Sequence, residues 1–400
     1  MSETAHGIPP GAADELVLNV GGVQIRGWQS VHVSRPLNAI PASFDIQITE
    51  KYPDSPDVAV KPGDECSVTI GGDLVLTGYV DQYAVTINAG NHTVKITGRS
   101  KSQDLVDCSA LFDTQSGQPG MQKMAGTTLS IAQALAAPYH VTVKSNAGDG
   151  VNVPQLNINL GETAWDIIDR VMRYSQFVAY DLPDGTLMLS QAGTEKMASG
   201  FKLGDNVEHA SVAFSMNERF SDYEAHFISS FAFGSDVGPN QPTIGEVIKD
   251  AGVPRFRKRY IVSEQFQDGE ALAAKRALWE CNYRKAHSQQ VSITCDAWRD
   301  SAGALWAPNH LAPIDAAPLK VDPDQPWLLG SVTYIRDENG QHADLVLMPK
   351  DAYVPEPVAL NQLPPTIDQI EKSKSGANNP TAPEPKTPTP VPASFETVTV

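Results

Sequence analysis

The stretch GGDLVLTGYVDQYAVTINAGNHTVKITGRS, residues Gly71–Ser100, alternates apolar and polar residues between short turns. This pattern predicts three β-strands in a meander, and none of its residues suggests catalysis. Upstream, Leu16–Ser34 alternates around the Gly21–Gly22 pair, which predicts a two-residue hairpin turn, and Ser43–Thr49 adds another alternating strand. Short strands at this spacing predict a small antiparallel barrel or sandwich over residues 1–103.

The charge balance limits the class of partner. The chain has 400 residues, with 30 Lys and Arg against 47 Asp and Glu, which gives a formal net charge of −17. This length is enough for roughly two to four domains with cores of their own. Because a negative field repels phosphate backbones, we expect no specific nucleic acid as a partner.

Neither the N-terminal segment nor the cysteines suggest secretion, a membrane or a metal. The N-terminal segment lacks the basic start and apolar core of a signal peptide, and no apolar run is long enough for stable membrane insertion. The cysteines lie far apart, without the spacing of a zinc site; they are Cys66, Cys108, Cys281 and Cys295. We expect reduced, mostly buried thiols, synthesis in a cytoplasm, and no metal or other cofactor.

The periodicity changes to helical after Asp104. TTLSIAQALAA has helical spacing behind a Thr127 or Thr128 cap and ends before Pro138. GETAWDIIDRVMRYSQ follows with an apolar face, and a hairpin is predicted around Asp184–Gly185. We therefore expect residues 104–198 to form an inserted α+β domain.

The remaining folded part returns to strands and contains a second insertion. We assign residues 199–230 plus 289–353 to a second, discontinuous barrel, and residues 231–288 to an insertion whose helix covers Asp268–Ser288. Segments of the two halves match in order: LTGYV with LLGSV, and NHTVKIT with QHADLVL. These matches predict that one chain carries two similar barrels.

The composition shifts again at the C-terminal side. Residues 354–400 are rich in proline and poor in large apolar residues, so we expect an extended tail. Within it, Phe395–Val400 is the segment able to add a strand to a partner.

No catalytic, cofactor-binding or metal site is predicted. The nearest carboxylate sets for glycan cleavage are Glu162 with Asp166, and Asp166 with Asp169 and Asp181. Acidic residues near a helix start favour its dipole and solvate its outer face, which is the preferred interpretation here. Four histidines stand in strand or loop contexts without an evident partner, and packing or surface roles are expected for them; they are His209, His226, His310 and His342.

One dense basic run stands out. PRFRKRY, residues Pro254–Tyr260, interleaves Phe256 and Tyr260 with the cations of Arg255–Arg259. Three interpretations are open, in decreasing order of preference: a solvated strand face, a contact with an acidic copy of the same chain, and a nucleic-acid-binding surface.

The order of these parts resembles the baseplate hub of contractile-tailed bacteriophages, in particular the tail protein P family of Mu-like phages. The similar segments include VLNVGGVQIRGWQSVHVSRPLNAIPASFDIQIT, GETAWDIIDRVMRYSQFVAYDLPDGTLML, ALAAKRALWECNYRKAHS and LLGSVTYIRDENGQHADLVLMPKDAY. They cover nearly everything from Leu16 to Tyr353, and none is a catalytic signature.

This resemblance implies a mainly β, α+β fold with two similar antiparallel, tube-type β-barrels and two smaller inserted α+β domains. It further implies a ring-forming homotrimer that adapts a hexameric tail tube to a threefold central spike. The implied partners are the tail spike protein, the tail tube or a tube-adaptor protein, other baseplate proteins and the tape-measure protein. The expected location is the virion, after synthesis in the host cytoplasm.

Two other functions stay open at this stage. The 104–198 domain could belong to a virion-associated cell-wall hydrolase or a glycan-binding module. The chain could also be the hub of a type VI-like contractile injection system, although no spike β-helix repeat follows the predicted barrels.

Overall fold

The computed structural model of the protein describes most of the chain up to residue 358. The described ranges are residues 14–49, 60–88, 91–110, 123–228, 242–263 and 269–358. Within them, no helix has the length and apolar character needed to span a membrane. The predictions for the tail beyond residue 358, including the strand at Phe395–Val400, lie outside the described residues.

The first seven strands come from the segment predicted to be the first barrel. They are Leu16–Val20 (β1), Val23–Ile25 (β2), Ser30–Pro36 (β3), Ser43–Thr49 (β4), Glu65–Ile70 (β5), Asp73–Asn88 (β6) and Asn91–Ser100 (β7). The predicted turn at Gly21–Gly22 is confirmed, with φ values of 56° and 83° that suit glycine.

The prediction of three strands within Gly71–Ser100 is wrong, because the stretch forms only β6 and β7. A register shift between Val80 and Gln82 lets β6 continue where we expected it to end. A bulge bends a strand without ending its pairing, and no turn-forming dipeptide interrupts the chain between Val80 and Val85.

In the described residues between 103 and 190, the first insertion has three α-helices and five strands. In chain order these are Gln103–Asp107 (α1), Lys123–Thr127 (β8), Thr128–Ala136 (α2), Val143–Ser145 (β9), Asn152–Asn157 (β10), Ala164–Ser175 (α3), Val178–Asp181 (β11) and Leu187–Ser190 (β12). Thr127 caps α2, since its hydroxyl accepts a hydrogen bond from Ser130 N at 3.2 Å. The buried face of α3 comprises Ala164, Ile167, Ile168, Val171 and Met172.

The last part of the described chain adds eleven strands and one helix. They are Glu195–Lys196 (β13), Phe201–Lys202 (β14), Val207–Phe214 (β15), Asp222–Ile228 (β16), Pro242–Lys249 (β17), Lys258–Ser263 (β18), Gly269–His287 (α4), Gln289–Cys295 (β19), His310–Ala312 (β20), Ile314–Asp315 (β21), Trp327–Asp337 (β22) and Gly340–Pro349 (β23). The helix α4 therefore covers nearly all of the predicted range.

One large sheet runs through both halves of the chain. Its strand order is β15-β19-β23-β22-β3-β4-β7-β6-β5-β1-β2, with β20 also paired to β22 and β13 to β20. The halves meet where β3 pairs with β22, almost three hundred residues further along the chain. A single hydrophobic cluster underlies this sheet and includes Leu18 and Phe44 from the first half with Trp306, Trp327 and Tyr334 from the second.

A smaller unit consists of the sheet β17-β16-β18 and the helix α4. The strand β16 lies within residues 199–230 but pairs with β17 and β18, so it shares a sheet with the second insertion. We expected one side of α4 to carry Leu272, Ala273, Arg276, Trp279 and Tyr283. Of these only Ala273 belongs to the buried face, together with Ala277 and Cys281, because small side chains let the helix approach Tyr223 and Ala225 of β16.

A buried polar junction connects the first insertion to the main sheet. One carboxylate oxygen of Asp181, at the end of β11, accepts hydrogen bonds from Ala42 N (2.8 Å), Ser100 Oγ (2.6 Å) and Ser102 Oγ (2.9 Å). Burial raises the pKa of Asp181, although these three donors oppose that effect. The hydrogen bonds fix β11 against β7 and the residue that precedes β4.

Candidate subunit interface

The main sheet contains the same arrangement of five strands twice. The neighbours are β3-β4-β7-β6-β5 in the first half and β15-β19-β23-β22-β20 in the second, and they are antiparallel at every step. We call these two sets repeat one and repeat two. The repeated order supports the duplication predicted from the matched segments.

Each of the matched segments LTGYV and LLGSV contains a glycine in a crowded place. A Cβ atom on Gly78 would lie 1.8 Å from the carbonyl oxygen of Arg99, and one on Gly330 would lie 1.6 Å from the hydroxyl of Tyr353. Both distances are far below any van der Waals contact. The two glycines are not equivalent, because Gly78 pairs with Ser100 whereas Gly330 is the bulge residue of β22.

The two repeats join edge to edge within the chain. The first strand of repeat one, β3, pairs with the second half of β22, from Ser331 opposite Pro36 to Arg336 opposite Val31. Val33 and Tyr334, directly opposite each other, have no exposed surface. This ladder shows how the first strand of one repeat covers the edge of another.

The strand that corresponds to β3 in repeat two is β15, and its outer edge is open. It pairs with β19 along its length. Apart from an isolated bridge at Val207, no other strand contacts it in the described part of the chain. Phe214 at its end is 58% exposed, and Met216 just beyond it is exposed as well. An open edge flanked by exposed apolar side chains favours pairing with another strand.

The counterpart of the second half of β22 is the second half of β6. There, β5 pairs with β6 only as far as Tyr79. Within the described ranges, Ala84–Ile87 pair with β7 on one edge and have no strand on the other. Val85 is 44% exposed and Ile87 is 72% exposed. The chain thus carries two complementary open edges, one in each repeat.

The basic run at Arg255–Arg259 lies at the start of the edge strand β18, and Arg257, Lys258 and Arg259 contact groups of the same chain. Arg257 donates to the carbonyl oxygens of Met216 (2.7 Å) and Asn217 (2.8 Å). Lys258 forms an ion pair with Glu224 at 2.5 Å. Phe256, however, is 80% exposed. These contacts favour an intramolecular role for the cations and leave the aromatic ring outside.

The carboxylates considered for glycan cleavage each make structural contacts. Although burial raises its pKa, hydrogen bonds from Arg170 and from Asn159 bring the pKa of Glu162 below its usual range. Asp166 forms a capping box with Thr163 at the start of α3, and Asp169 pairs with the next turn of the same helix. Asp181 lies at the buried junction described above. The structure does not bring these four groups together around one cleft.

The four histidines lie apart from one another and contact ordinary structural groups. They are His209, His226, His310 and His342. His226 lies 2.9 Å from Glu224, and His310 lies 3.1 Å from Glu195. The backbone oxygen of His342 accepts a hydrogen bond from the indole of Trp298, and His209 belongs to the open strand β15. In the described ranges, no three His, Cys, Asp or Glu side chains are grouped closely enough to hold a metal ion.

The four cysteines are free thiols. Burial raises the pKa of Cys66 to about 12 and that of Cys281 and Cys295 to about 11. Cys108 is partly exposed, and its pKa is raised to a smaller extent. The buried positions confirm the expectation for three of the four.

The open edges were not identified from the sequence. Alternation predicts that β6 and β15 are strands, but not which of their edges another strand covers. The one signal available in the sequence is the pair of apolar residues Val85 and Ile87, which lie on the half of β6 that continues past the bulge.

Comparisons with known proteins agree on one family. Residues 15–100 match the model of the Mu phage baseplate assembly protein GpP-like, N-terminal domain. Residues 102–191 match the second domain of the baseplate hub protein gp44-like family, and residues 269–356 match the fourth domain of the Mu phage baseplate assembly protein GpP. Together these matches cover about two thirds of the chain, and they follow one another along it as the N-terminal, second and fourth domains.

Individual relatives extend over most of the chain. It is 27% identical to the baseplate hub protein gp44 of Escherichia phage Mu over 350 residues, 86% of this chain and 89% of the relative. It is 29% identical to the 43 kDa tail protein of prophage MuSo2 from Shewanella oneidensis, with a TM-score of 0.73 over 85% of this chain and 99% of that one.

A more distant structure shares the fold alone. A component of the Escherichia coli type VI secretion system, structurally similar to the bacteriophage T4 tail proteins gp27 and gp5, has 10% identity and a TM-score of 0.54 over 87% of this chain and 80% of its own. The three successive family matches and the Mu relatives cover both repeats and the first insertion. The chain therefore belongs to the baseplate hub proteins of Mu-like phages and is a structural component of the phage tail baseplate.

Proposed function

We propose that three copies of this chain form a closed ring in which six repeats alternate around the axis. Each repeat takes the role of one tube-type barrel, so a threefold protein presents pseudo-sixfold symmetry. Such a ring adapts a hexameric tail tube on one side to a threefold central spike on the other. The single observation that carries this proposal is the repeated strand order with one joined and one open junction.

The joined junction is a template for the open one. Inside the chain, the first strand of repeat one (β3) covers the second half of the long hairpin strand of repeat two (β22). Moving one step around the ring, β15 of repeat two would cover the second half of β6 in repeat one of the next copy. Heterologous contacts of this kind produce closed rings when the rotation closes.

The pairings within each repeat supply the register of the proposed contact. Each long hairpin strand carries one bulge, at Asp81 in β6 and at Gly330 in β22, and matching the bulges brings the buried faces of the two repeats into register. Val85 of β6 then corresponds to Tyr334 of β22, which lies opposite Val33 of β3. The equivalent of Val33 in β15 is Val212, because both connect through two intervening strands to equivalent hairpin positions.

Applying the β3–β22 register to the open edges places Val212 opposite Val85 of the neighbouring copy. Two residues further on, it places Phe214 opposite Tyr83. Each of these pairs joins side chains that are partly or largely exposed in the single chain. Aromatic and β-branched residues facing each other across strands stabilise a sheet, so the register also brings suitable partners together.

We also propose the domain boundaries expected from the sequence, with one change. Residues 1–103 form the first tube-type domain, 104–198 the first insertion, and 354–400 the extended tail. The second tube-type domain is discontinuous, and β16 is assigned to the second insertion because it pairs with β17 and β18. In this arrangement, the spike, the tube or its adaptor, and other baseplate components including the tape-measure protein are the proposed partners.

In the proposed ring the protein has no enzymatic role. The alternative of a cell-wall hydrolase has no supporting geometry among the described residues, because the candidate carboxylates serve a cap, ion pairs and a buried junction. The hub of a type VI-like injection system shares the fold with this chain, but the Mu relatives share more of its sequence.

Light scattering coupled to size-exclusion chromatography tests the ring, followed by electron-microscopy class averages of the same peak. The expected mass is three times 43.0 kDa, and the averages should show a hollow threefold particle. A protein that stays monomeric at the highest soluble concentration, or a particle without a central channel, would contradict the proposal.

A further inference from the structure

The basic run at Arg255–Arg259 keeps two positive charges that no carboxylate neutralises among the described residues. The guanidinium of Arg257 donates to two backbone carbonyl oxygens just beyond β15, which carry no net charge. Arg255 is exposed and forms no ion pair in the described part of the chain. Phe256, between these two arginines, is largely exposed as well. A cationic and apolar patch on a chain with a net charge of −17 favours contact with an acidic surface.

This patch is continuous with the open edge of β15. Nη1 of Arg257 lies 2.7 Å from the carbonyl oxygen of Met216, which stands two residues beyond Phe214. Met216 is exposed and extends the apolar surface that Phe214 begins. A copy that pairs with β15 would therefore also come close to the basic run.

The junction inside the chain shows which residue would lie beside Met216. Leu37, just beyond β3, donates its backbone N–H to the carbonyl oxygen of Gly330 at 2.8 Å, and Gly330 is the bulge residue of β22. In the register of the proposed ring, Met216 is the equivalent of Leu37, and Asp81 is the equivalent of Gly330. The same geometry therefore places Met216 beside Asp81 of the neighbouring copy.

Asp81 belongs to a group of three carboxylates around one arginine, Arg99. Nε of Arg99 lies 2.7 Å from Asp81, and its Nη2 lies 2.8 Å from Asp107. Burial raises the pKa of Asp104, and the nearby charges of Asp107 and Asp81 act in the same direction, although Arg99 opposes them. Because three carboxylates share a single guanidinium, this acidic group carries surplus negative charge.

We propose that the basic run of one copy lies against the acidic group around Arg99 of the next copy, with Arg255 and Arg257 as the pairing cations. This contact depends on the proposed ring and adds an electrostatic part to its strand pairing. Every junction of the ring would contain one basic run and one acidic group, as a heterologous contact requires. Complementary charges favour the correct encounter and oppose shifted registers, which a strand edge alone excludes only weakly.

Charge reversal at Arg255 tests the contact, because this exposed side chain has no ion pair to lose within the described chain. Light scattering over a dilution series measures assembly at low and at high salt, about 50 mM and about 0.5 M NaCl. Arg255→Glu should weaken each junction about tenfold at low salt, and the difference from wild type should shrink at high salt because ions screen exposed charges. Lys144→Glu, at an exposed position of β9, changes the net charge equally and should assemble like the wild type.

A second substitution identifies the acidic partner. Asp107→Lys should weaken assembly at low salt on its own, and in the Arg255→Glu background it should restore most of the lost affinity, because the two signs are exchanged. The same substitution in the Lys144→Glu background should restore nothing. Absence of restoration in the Arg255→Glu background would overturn the acidic group as the partner.

The outcomes separate this contact from the ring itself. If Arg255→Glu assembles like Lys144→Glu at low salt while the wild type forms trimers, the electrostatic contact is wrong and the ring stands. A wild-type chain that stays monomeric would contradict the ring and this contact with it.

Single-stranded nucleic acid is the other ligand that suits cations interleaved with an aromatic ring. A labelled oligothymidine, titrated at about 50 mM NaCl into the Phe214→Asp variant that exposes this surface, should show no saturable binding. Saturable binding that the additional substitution Arg255→Glu abolishes would assign the basic run to nucleic acid and overturn the subunit contact.

Discussion

Replacing Phe214 by aspartate should prevent the proposed ring from forming. Phe214 is 58% exposed in the single chain, and a phenylalanine side chain buries 150–250 Å² when fully covered, so about 100 Å² would be newly buried at the contact. At about 25 cal/mol per Å², this area contributes about 2.5 kcal/mol. An aspartate opposite Tyr83 forfeits that area and adds an unpaired charge that costs about 1–3 kcal/mol more.

The expected loss is therefore about 3.5–5.5 kcal/mol at each junction, which corresponds to roughly two and a half to four powers of ten in the affinity of one junction. Because every junction of the ring carries the substitution, Phe214→Asp should elute as a monomer at concentrations where the wild type is assembled. Light scattering over a dilution series measures this shift. Circular dichroism should show an unchanged fold, since the substituted side chain lies on the surface.

Leu160→Asp is the matched control. Leu160 is the most exposed large apolar side chain in the described ranges, and it lies in the first insertion, away from both open edges. It should assemble like the wild type. If Phe214→Asp assembles as well as Leu160→Asp does, the inference that β15 forms the subunit contact is incorrect.

Three further outcomes follow from the interior of the chain. Asp181→Ala should lower the free energy of unfolding by about 3 kcal/mol in urea denaturation because buried donors lose their acceptor, while Asp181→Asn should cost clearly less, since its amide oxygen still accepts. Because the pKa of Glu162 is lowered in the fold, its charged form stabilises the folded state above the pKa of the unfolded chain, and this contribution is lost as the pH falls. The difference in the free energy of unfolding between wild type and Glu162→Gln should therefore shrink between about pH 6 and about pH 3. Cys108 should react with a thiol reagent in the native state, whereas Cys66 should react only on unfolding; equal rates would contradict its burial.

Local patterns in the sequence predicted the elements well where the signal itself was local. The cap at Thr127, the turn at Gly21–Gly22 and the range of α4 all depend on residues a few positions apart, and the structure confirms them. The buried face of α4 was predicted only in part, because apolar size suggested Trp279 while close packing selected the small residues Ala277 and Cys281 beside the predicted Ala273.

Pairings between distant strands could not be predicted in this way. Alternation specifies that β3 and β22 are strands, but nothing near either strand indicates that they adjoin. The open edges at Phe214 and Val85 follow only from the complete strand order.

Cysteine cross-linking across the proposed junction is the decisive test of the ring. The double variant Val85→Cys and Val212→Cys places two thiols opposite each other only if β15 of one copy lies beside β6 of the next. Under mild oxidation we expect covalent trimers on a non-reducing gel, with a dimer as the intermediate, and neither single variant should form trimers. Absence of cross-linked species in the assembled double variant would contradict the edge-to-edge ring.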